Sequence, residues 1–304
     1  MSEAVSALVE LFSAGFVPKV PPPYDLRALC RGAAGVPTEL PELPPRLQLR
    51  VLEPHDVRRV ACAPATVVGA IDGVQPPARV LTWREGRPIG LLFAAAGCLG
   101  PGREPLALEE RLLIVASHLD AQWAEEHSEG VPVATLPERF PAEIIAAITE
   151  LHRRLRHRLE RDVLAKVRGK GLVVVDGHLG GVPVGDGAVA GIVKSHPRQY
   201  LGDESAIQGL RAGERSGAFL LPAPRDGEVD RYAAFLRLHS ADAGPWTHGL
   251  IRIEATARDL LEPVAAWALT ERQGPGADRR WDVHLGLIAA CERALRARVP
   301  AVVF

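Results

Sequence analysis

The chain has 304 residues, with 36 lysines and arginines against 37 aspartates and glutamates, so its formal net charge is -1. This balance excludes nucleic-acid binding through an overall basic field and leaves only a local basic patch for that purpose. The four cysteines lie far apart without a C-x-x-C pair, which argues against a disulfide framework or a zinc site. Residues 89–99, the longest apolar run, are too few to span a bilayer, and acidic residues near the start argue against a signal peptide. We therefore expect a cytoplasmic protein without a membrane partner.

The first 64 residues predict an N-terminal extension that is helical at its start and rich in proline. Residues 2–15 have the spacing of an amphipathic helix, which the prolines within residues 20–24 end. Residues 25–60 are rich in proline and arginine and contain no recognisable chemical motif. The pattern changes near Thr66, so we predict the main domain over residues 65–304.

Two short apolar runs, 67–72 and 172–176, each end on an aspartate that is followed by glycine. Both are rich in β-branched residues and are predicted to be buried strands, whose terminal Asp72 and Asp176 project into the cleft at the sheet edge. The glycine lets the chain turn and lets a ligand approach the backbone. One such ending is typical of a strand-to-turn junction. Two of them predict a pair of carboxylates at one sheet edge, as in a metal site.

The rest of the main domain mixes predicted strands and helices. Strands over 79–83 and 88–95, joined by the turn Glu85-Gly86, would complete an antiparallel meander with the first strand. Helices are predicted over 106–126 and 141–168, the second from apolar residues at three- and four-residue steps. Further strands are predicted over 188–194, 218–221, 233–238 and 250–254, and further helices over 258–269 and 282–298.

This element order is that of the ribonuclease H-like fold, so we predict an α/β domain with a mixed sheet flanked by helices. That fold carries carboxylates on its first strand, on the helix before its fourth strand, on that strand and on its last helix. The chain offers Asp72, Glu160, Asp176 and Asp282 at these places. Two divalent ions about 4 Å apart, held by such carboxylates, activate water and stabilise the leaving oxygen in phosphodiester hydrolysis. Oxygen ligands favour Mg²⁺ or Mn²⁺ over zinc.

Some of these residues also have a purely structural interpretation. Glu160 could belong to a solvated helix face, and Glu150 and Asp162 are competing carboxylates on the same helix. Asp282 could be the N-cap of the last helix. The segment 151–158, with four arginines and two histidines, is either a local basic patch or an exposed helix face.

Four further residues are candidate DNA contacts. Lys194 and His196 follow a predicted strand, where the lysine could bind the scissile phosphate or simply be exposed. Arg237 and Arg252 lie on predicted strands, where arginines also serve as partners of buried carboxylates such as Glu254.

Seven short motifs follow one another in the order seen in the NurA nuclease family, which the chain resembles over roughly residues 65–298. They are Ala70-Ile71-Asp72-Gly73, Val174-Val175-Asp176-Gly177-His178-Leu179, Gly191-Ile192-Val193-Lys194-Ser195-His196, Gly213-Glu214-Arg215, Phe235-Leu236-Arg237-Leu238, Gly249-Leu250-Ile251-Arg252-Ile253-Glu254 and Arg280-Trp281-Asp282. The resemblance implies a DNase dependent on Mn²⁺ or Mg²⁺ that degrades DNA from 5′ ends or cuts single strands. It also implies a homodimer that acts with a HerA-type hexameric ATPase translocase.

By this resemblance the two motif aspartates are Asp72 and Asp176, and the helical glutamate is Glu160. The C-terminal motif varies in the family, so Asp282 or His284 would fill that position. Family members usually have serine after each Asp-Gly, whereas this chain has valine and histidine, which are not expected ligands.

Two other functions stay open at this point. The chain could be a non-catalytic nucleic-acid-binding or scaffold protein that retains the nuclease fold. It could also be a ribonuclease related to PIWI domains, although 304 residues leave no room for guide-binding domains and no 2′-hydroxyl reader is recognisable.

Overall fold

A computed structural model describes residues 50–53, 57–180, 187–194, 207–222, 230–240, 247–273 and 285–301. Its strands are β1 (Arg50–Val51), β2 (Arg58–Arg59), β3 (Val67–Val74), β4 (Arg79–Arg84), β5 (Arg87–Leu99), β6 (Pro105–Ser117), β7 (Val133–Leu136), β8 (Leu172–Asp176), β9 (Val189–Val193), β10 (Glu214–Arg215), β11 (Phe219–Leu221), β12 (Arg231–Arg237) and β13 (Leu250–Ala255). Its helices are α1 (Ala121–Glu126), α2 (Pro141–Val167), α3 (Leu261–Glu271) and α4 (Gly286–Arg296), and a 3-10 turn at Arg258–Leu260 precedes α3.

All these strands belong to one mixed sheet with helices on both faces. The main path has the order β1-β11-β12-β13-β9-β8-β3-β5-β6-β7, while β4 pairs with β5 and β10 joins β12 to β2. The central strands β3, β8 and β9 are parallel. On one side β5 and β6 follow in antiparallel order, and on the other side β13, β12 and β11 do the same. The prediction of an α/β domain with a mixed, helix-flanked sheet is confirmed.

Strand β5 is longer than the sequence pattern indicated. Its C-terminal half pairs with β3, from Ala70↔Leu99 to Val74↔Ala95, and its N-terminal half pairs with β4. Thus β3 and β4 lie end to end along one side of β5, and β6 pairs along the other side. The short strands β1 and β2 pair with β11 and β10, which attaches the described part of the predicted extension to the main sheet.

The prediction of a helix over 106–126 is wrong for most of its length. Residues 105–117 form β6, which is in register with β5 from Gly90↔Val115 to Leu99↔Pro105, and only α1 is helical. The leucines, glutamates and arginine of this segment are good helix formers. Pairing along the whole of β5 outweighs that local preference, because strand formation depends on cross-strand neighbours more than on intrinsic propensity.

The two faces of the sheet are covered by different helices, which fixes where each strand residue points. On the face that we call the α2 face, Leu159 and Val163 of α2 pack with Ile71 and Val173. On the opposite face, here the α4 face, helices α3 and α4 pack with Ala70, Val174 and Ile192. Because side chains alternate along a strand, a residue two positions after any of these three projects to the α4 face.

No helix in the described part of the chain is long and apolar enough to cross a membrane.

Candidate active site

Three adjacent parallel strands bring Asp72, Asp176 and Lys194 to the same end of the sheet. Each lies two residues after one of the α4-face residues Ala70, Val174 and Ile192, so all three side chains project to that face. The register aligns β3 with β8 through Ile71↔Val175 and β8 with β9 through Asp176↔Ile192. The ammonium group of Lys194 donates to the Asp176 carboxylate, with Nζ 2.9 Å from Oδ2 and 2.8 Å from Oδ1.

Asp72 is the buried member of this group, and its charge is poorly compensated. Only 5% of its surface is exposed, and burial together with the negative charge of Asp176 raises its pKa to about 8. The charge of Lys194 and a hydrogen bond from the Gly73 N–H, 2.7 Å from Oδ1, act in the opposite direction without offsetting this rise. The single positive charge of Lys194 cannot neutralise two carboxylates. The remaining negative charge is removed either by a proton on Asp72 or by a further bound cation.

Helix α4 covers Asp72 and adds a carboxylate that the sequence analysis missed. The charge of Glu292 also raises the pKa of Asp72, and its carboxylate accepts from Nε and Nη2 of Arg296 at 2.9 and 2.7 Å. Cys291 lies beside Asp72, and its pKa rises to about 12 through burial and the charge of that aspartate. The sequence signal for Glu292 is its place at the border of the apolar stripe of this helix. The packing of α4 against β3, which brings Glu292 near Asp72, could not be foreseen from the sequence.

Asp282, His284 and His196 lie outside the described residues.

Glu160 approaches the strand of Asp72 from the opposite face. A side chain built at Gly73, the residue after Asp72, would collide with Glu160 Oε1. The carboxylate accepts from Arg156 Nη1 at 2.7 Å and lies 3.2 Å from His157 Nδ1. Within the described residues, no three histidine, cysteine, aspartate or glutamate side chains are grouped closely enough to hold a metal ion. The structure thus brings Asp72 and Asp176 together and leaves Glu160 on the α2 face.

The predicted basic patch at 151–158 is divided between different environments. His152 is buried, with Nε2 2.7 Å from the carbonyl oxygen of Phe93, and therefore belongs to the core. Arg153 and Arg154 both pair with Glu150. Arg158 lies exposed on the same helix.

Arg237 and Arg252, which we predicted as DNA contacts, are fully buried. Arg237 donates to three backbone carbonyls, those of Ile207, Leu210 and His248. Arg252 donates to Glu254 through Nε at 3.2 Å and Nη2 at 2.9 Å. A fully buried guanidinium offers no surface to a phosphate, so this structure places both arginines as internal partners of the fold. For Arg252 this is the structural role, that of a partner to a buried carboxylate, which the sequence analysis had left open beside DNA contact.

Glu254 anchors the loop that follows Asp176. Its carboxylate accepts from the Leu179 N–H at 3.0 Å and from Arg231 Nη1 at 2.9 Å, and it lies 3.2 Å from His178 Nδ1. Burial opposes its ionised form, but the hydrogen bond of His178 and the charges of Arg252 and Arg231 outweigh burial and lower its pKa to about 2. The sequence analysis missed this contact, which fixes residues 178–179 and thereby the end of β8.

No protein-family model matches this chain, and no curated protein is similar enough to it to count as a relative.

Proposed function

We propose that this protein is a metal-dependent deoxyribonuclease that hydrolyses phosphodiester bonds at the Asp72–Asp176 pair. The observation that carries the proposal is the convergence of these carboxylates from adjacent parallel strands, where the charge of Asp176 raises the pKa of Asp72. Two carboxylates that share one lysine form a site that favours an added cation. Their oxygen atoms suit Mg²⁺ or Mn²⁺.

The chain topology supports the ribonuclease H-like part of the proposal. The partial order β6-β5-β3-β8-β9 combines two antiparallel neighbours with three parallel strands, and helix α2 precedes β8. In that fold a carboxylate of the first strand adjoins a carboxylate of the fourth. We assign those places to β3 and β8, which carry Asp72 and Asp176.

The residues present fit a divalent cation in part. Asp72 and Asp176 would hold it, and Asp282, which lies outside the described residues, is a further ligand predicted from the sequence; Glu160, the other predicted ligand, lies on the opposite face of the sheet. A bound Mg²⁺ or Mn²⁺ would activate water and stabilise charge on the leaving oxygen. Lys194 holds the Asp176 carboxylate in place and would lie beside a phosphate drawn to the site.

The resemblance to NurA nucleases adds the biological setting. We propose DNA as the substrate, with degradation from 5′ ends or cutting of single strands, in the cytoplasm. A homodimer and a HerA-type hexameric translocase are the proposed partners.

Two observations favour a second candidate function, that of a non-catalytic nucleic-acid-binding protein. The described residues contain no group of three potential metal ligands, and Glu160 is paired with Arg156 and His157. A protein that retains the fold without a complete metal site would bind DNA and leave it intact.

A cleavage assay separates the two functions. Labelled single- and double-stranded DNA is incubated with the protein in Mn²⁺, Mg²⁺ or EDTA, next to Asp72→Asn, Asp176→Asn and the control Asp162→Asn, an exposed residue of α2. We expect metal-dependent cleavage that falls by orders of magnitude, roughly 100-fold or more, in the two site variants and persists in the control. DNA binding without cleavage in either metal would establish the second function instead.

A further inference from the structure

One long stretch of strand β6 has no neighbour on its outer side within the described residues. β6 pairs with β5 along its length, but on the other side it pairs only with β7, from Ile114↔Val133 to Ser117↔Leu136. In the part of the chain that the structure describes, residues 105–113 therefore form an open sheet edge. Such an edge exposes backbone donors and acceptors that another strand can use.

The hydrogen bonds that are present show which residues of this edge face outward. The Ile114 N–H donates to the carbonyl oxygen of Pro132 on the β7 side at 3.0 Å. Because backbone groups alternate between the two sides of a strand, those of Leu108, Glu110 and Leu112 also face outward. The outward direction of Glu110 has further support, because its carbonyl oxygen accepts a hydrogen bond at 2.9 Å from the exposed Arg111 side chain.

The sequence of this edge is complementary to itself when two copies run antiparallel. If Glu110 lies opposite Glu110 of the partner subunit, then Leu108 lies opposite Leu112 of the partner subunit, and both hydrophobic residues are half-buried. In the same register Glu109 lies opposite Arg111 of the partner subunit, and symmetry repeats that pair.

Backbone direction and charge select this register over its neighbours. Outward-facing residues lie opposite outward-facing residues, so each such pair exchanges two main-chain hydrogen bonds. A shift that centres Glu109 would place glutamate against glutamate in a non-hydrogen-bonded pair, where side chains are closest. The central Glu110 is compensated within its own chain, because its carboxylate accepts from Arg298 Nε at 2.8 Å.

We infer that two copies of this chain pair through antiparallel β6 strands over residues 107–113, with the two-fold axis at Glu110. The inference supplies a contact surface for the homodimer of the proposed function, and to that extent it rests on that proposal. The Arg111 side chain, which is 56% exposed and 3.5 Å from Glu109 of its own chain, reaches across to Glu109 of the partner subunit. Within each chain the Glu109 carboxylate also accepts a hydrogen bond from Lys166, so the contact with Arg111 adds a second cation to it. The joined sheets continue through both subunits.

Disulfide trapping tests the register. In a background with Cys30→Ser and Cys62→Ser, the substitutions Glu109→Cys, Glu110→Cys and Arg111→Cys are introduced one at a time, while the buried Cys98 and Cys291 are retained. Directly opposite residues of a hydrogen-bonded antiparallel pair have Cα atoms about 5.5 Å apart, within disulfide range. Two cysteines at position 109, or two at position 111, are offset by two residues along the strands. Their Cα atoms are then about 8 Å apart, which is too far for a disulfide. We expect a covalent dimer from Glu110→Cys alone under mild oxidation.

Charge reversal tests the same interface without cysteine. Arg111→Glu places like charges opposite each other twice. We therefore expect the dissociation constant of the dimer, measured by sedimentation velocity, to rise about 10- to 100-fold. Adding Glu109→Arg restores opposite charges across the interface and recovers the dimer. Arg161→Glu, the same change at an exposed position of α2, leaves the dimer as it is.

A wild-type chain that is monomeric at all concentrations would overturn the inference. A dimer that is trapped by Glu109→Cys or Arg111→Cys instead, or that is unaffected by Arg111→Glu, would also overturn it. DNA cleavage by the wild type and the same variants keeps the proposals apart. A wild-type protein that cleaves DNA as a monomer would contradict the interface and leave the nuclease proposal intact. A wild-type dimer that does not cleave DNA would contradict the nuclease proposal and leave the interface intact.

Discussion

Replacing Asp72 by asparagine should stabilise the metal-free protein, and should do so increasingly as the pH rises. Unfolded, the Asp72 carboxyl loses its proton near pH 4, whereas in the folded protein its pKa is about 8. Between these values the unfolded chain is ionised and the folded chain keeps its proton, so a rising pH favours unfolding. Asparagine cannot ionise, and its carbonyl oxygen can still accept the hydrogen bond that Gly73 donates.

The size of the effect follows from the two pKa values. Each pH unit between them corresponds to about 1.4 kcal/mol, so the cost of ionising Asp72 is on the order of 5 kcal/mol above pH 8. Below pH 4 both states are protonated, and this contribution disappears. The free energy of unfolding of Asp72→Asn should therefore exceed that of the wild type by an amount that grows from pH 4 to pH 8.

Urea unfolding at pH 5, 6, 7 and 8 in EDTA measures this difference. Subtracting the wild-type curve from that of the variant cancels the titrating groups that do not interact with Asp72, and Asp162→Asn serves as the exposed control. A difference that stays constant with pH would refute the account of the carboxylate pair. So would a variant that becomes less stable than the wild type at pH 8.

Three further predictions concern the surroundings of the pair. Lys194→Met removes the cation that holds Asp176, so we expect the fold to be retained and the cleavage rate to be at least about tenfold lower. An unchanged rate would exclude Lys194 from catalysis. Glu254→Gln leaves buried arginines without their carboxylate, which should lower the free energy of unfolding in urea by about 3–5 kcal/mol, and a loss under 1 kcal/mol would contradict this. Glu160→Gln removes a carboxylate that lies on the α2 face, opposite the Asp72–Asp176 pair, so cleavage should persist; a loss of orders of magnitude would show that Glu160 reaches the metal after all.

The central strands could be predicted because their signal is local. The runs ending at Asp72 and Asp176 are short, β-branched and followed by glycine, and the structure has β3 and β8 there. The long helix α2 could be predicted from its apolar spacing. Alternation of side chains along β3 and β8 then accounts for the common face of the two aspartates.

The remaining features depend on contacts between residues far apart in the chain. Strand β6 is built from helix-forming residues, and only its pairing with β5 makes it a strand. Glu292 is one of several carboxylates on a helix until α4 is packed over Asp72. In sequence, Arg252 could equally be a DNA contact or a partner of Glu254, and only its hydrogen bonds to Glu254 on the same strand decide between the two roles.

The most direct test of the central claim is to locate Mn²⁺ in crystals of the protein through its anomalous scattering. The crystals are grown or soaked in Mn²⁺ at pH 8, near the pKa of Asp72, so that about half of these carboxyls are ionised before the metal binds. We predict an anomalous peak contacted by carboxylate oxygens of both Asp72 and Asp176, and its absence in Asp176→Asn crystals under the same conditions. Cleavage-competent crystals with saturating Mn²⁺ and no peak between these two carboxylates would contradict the account.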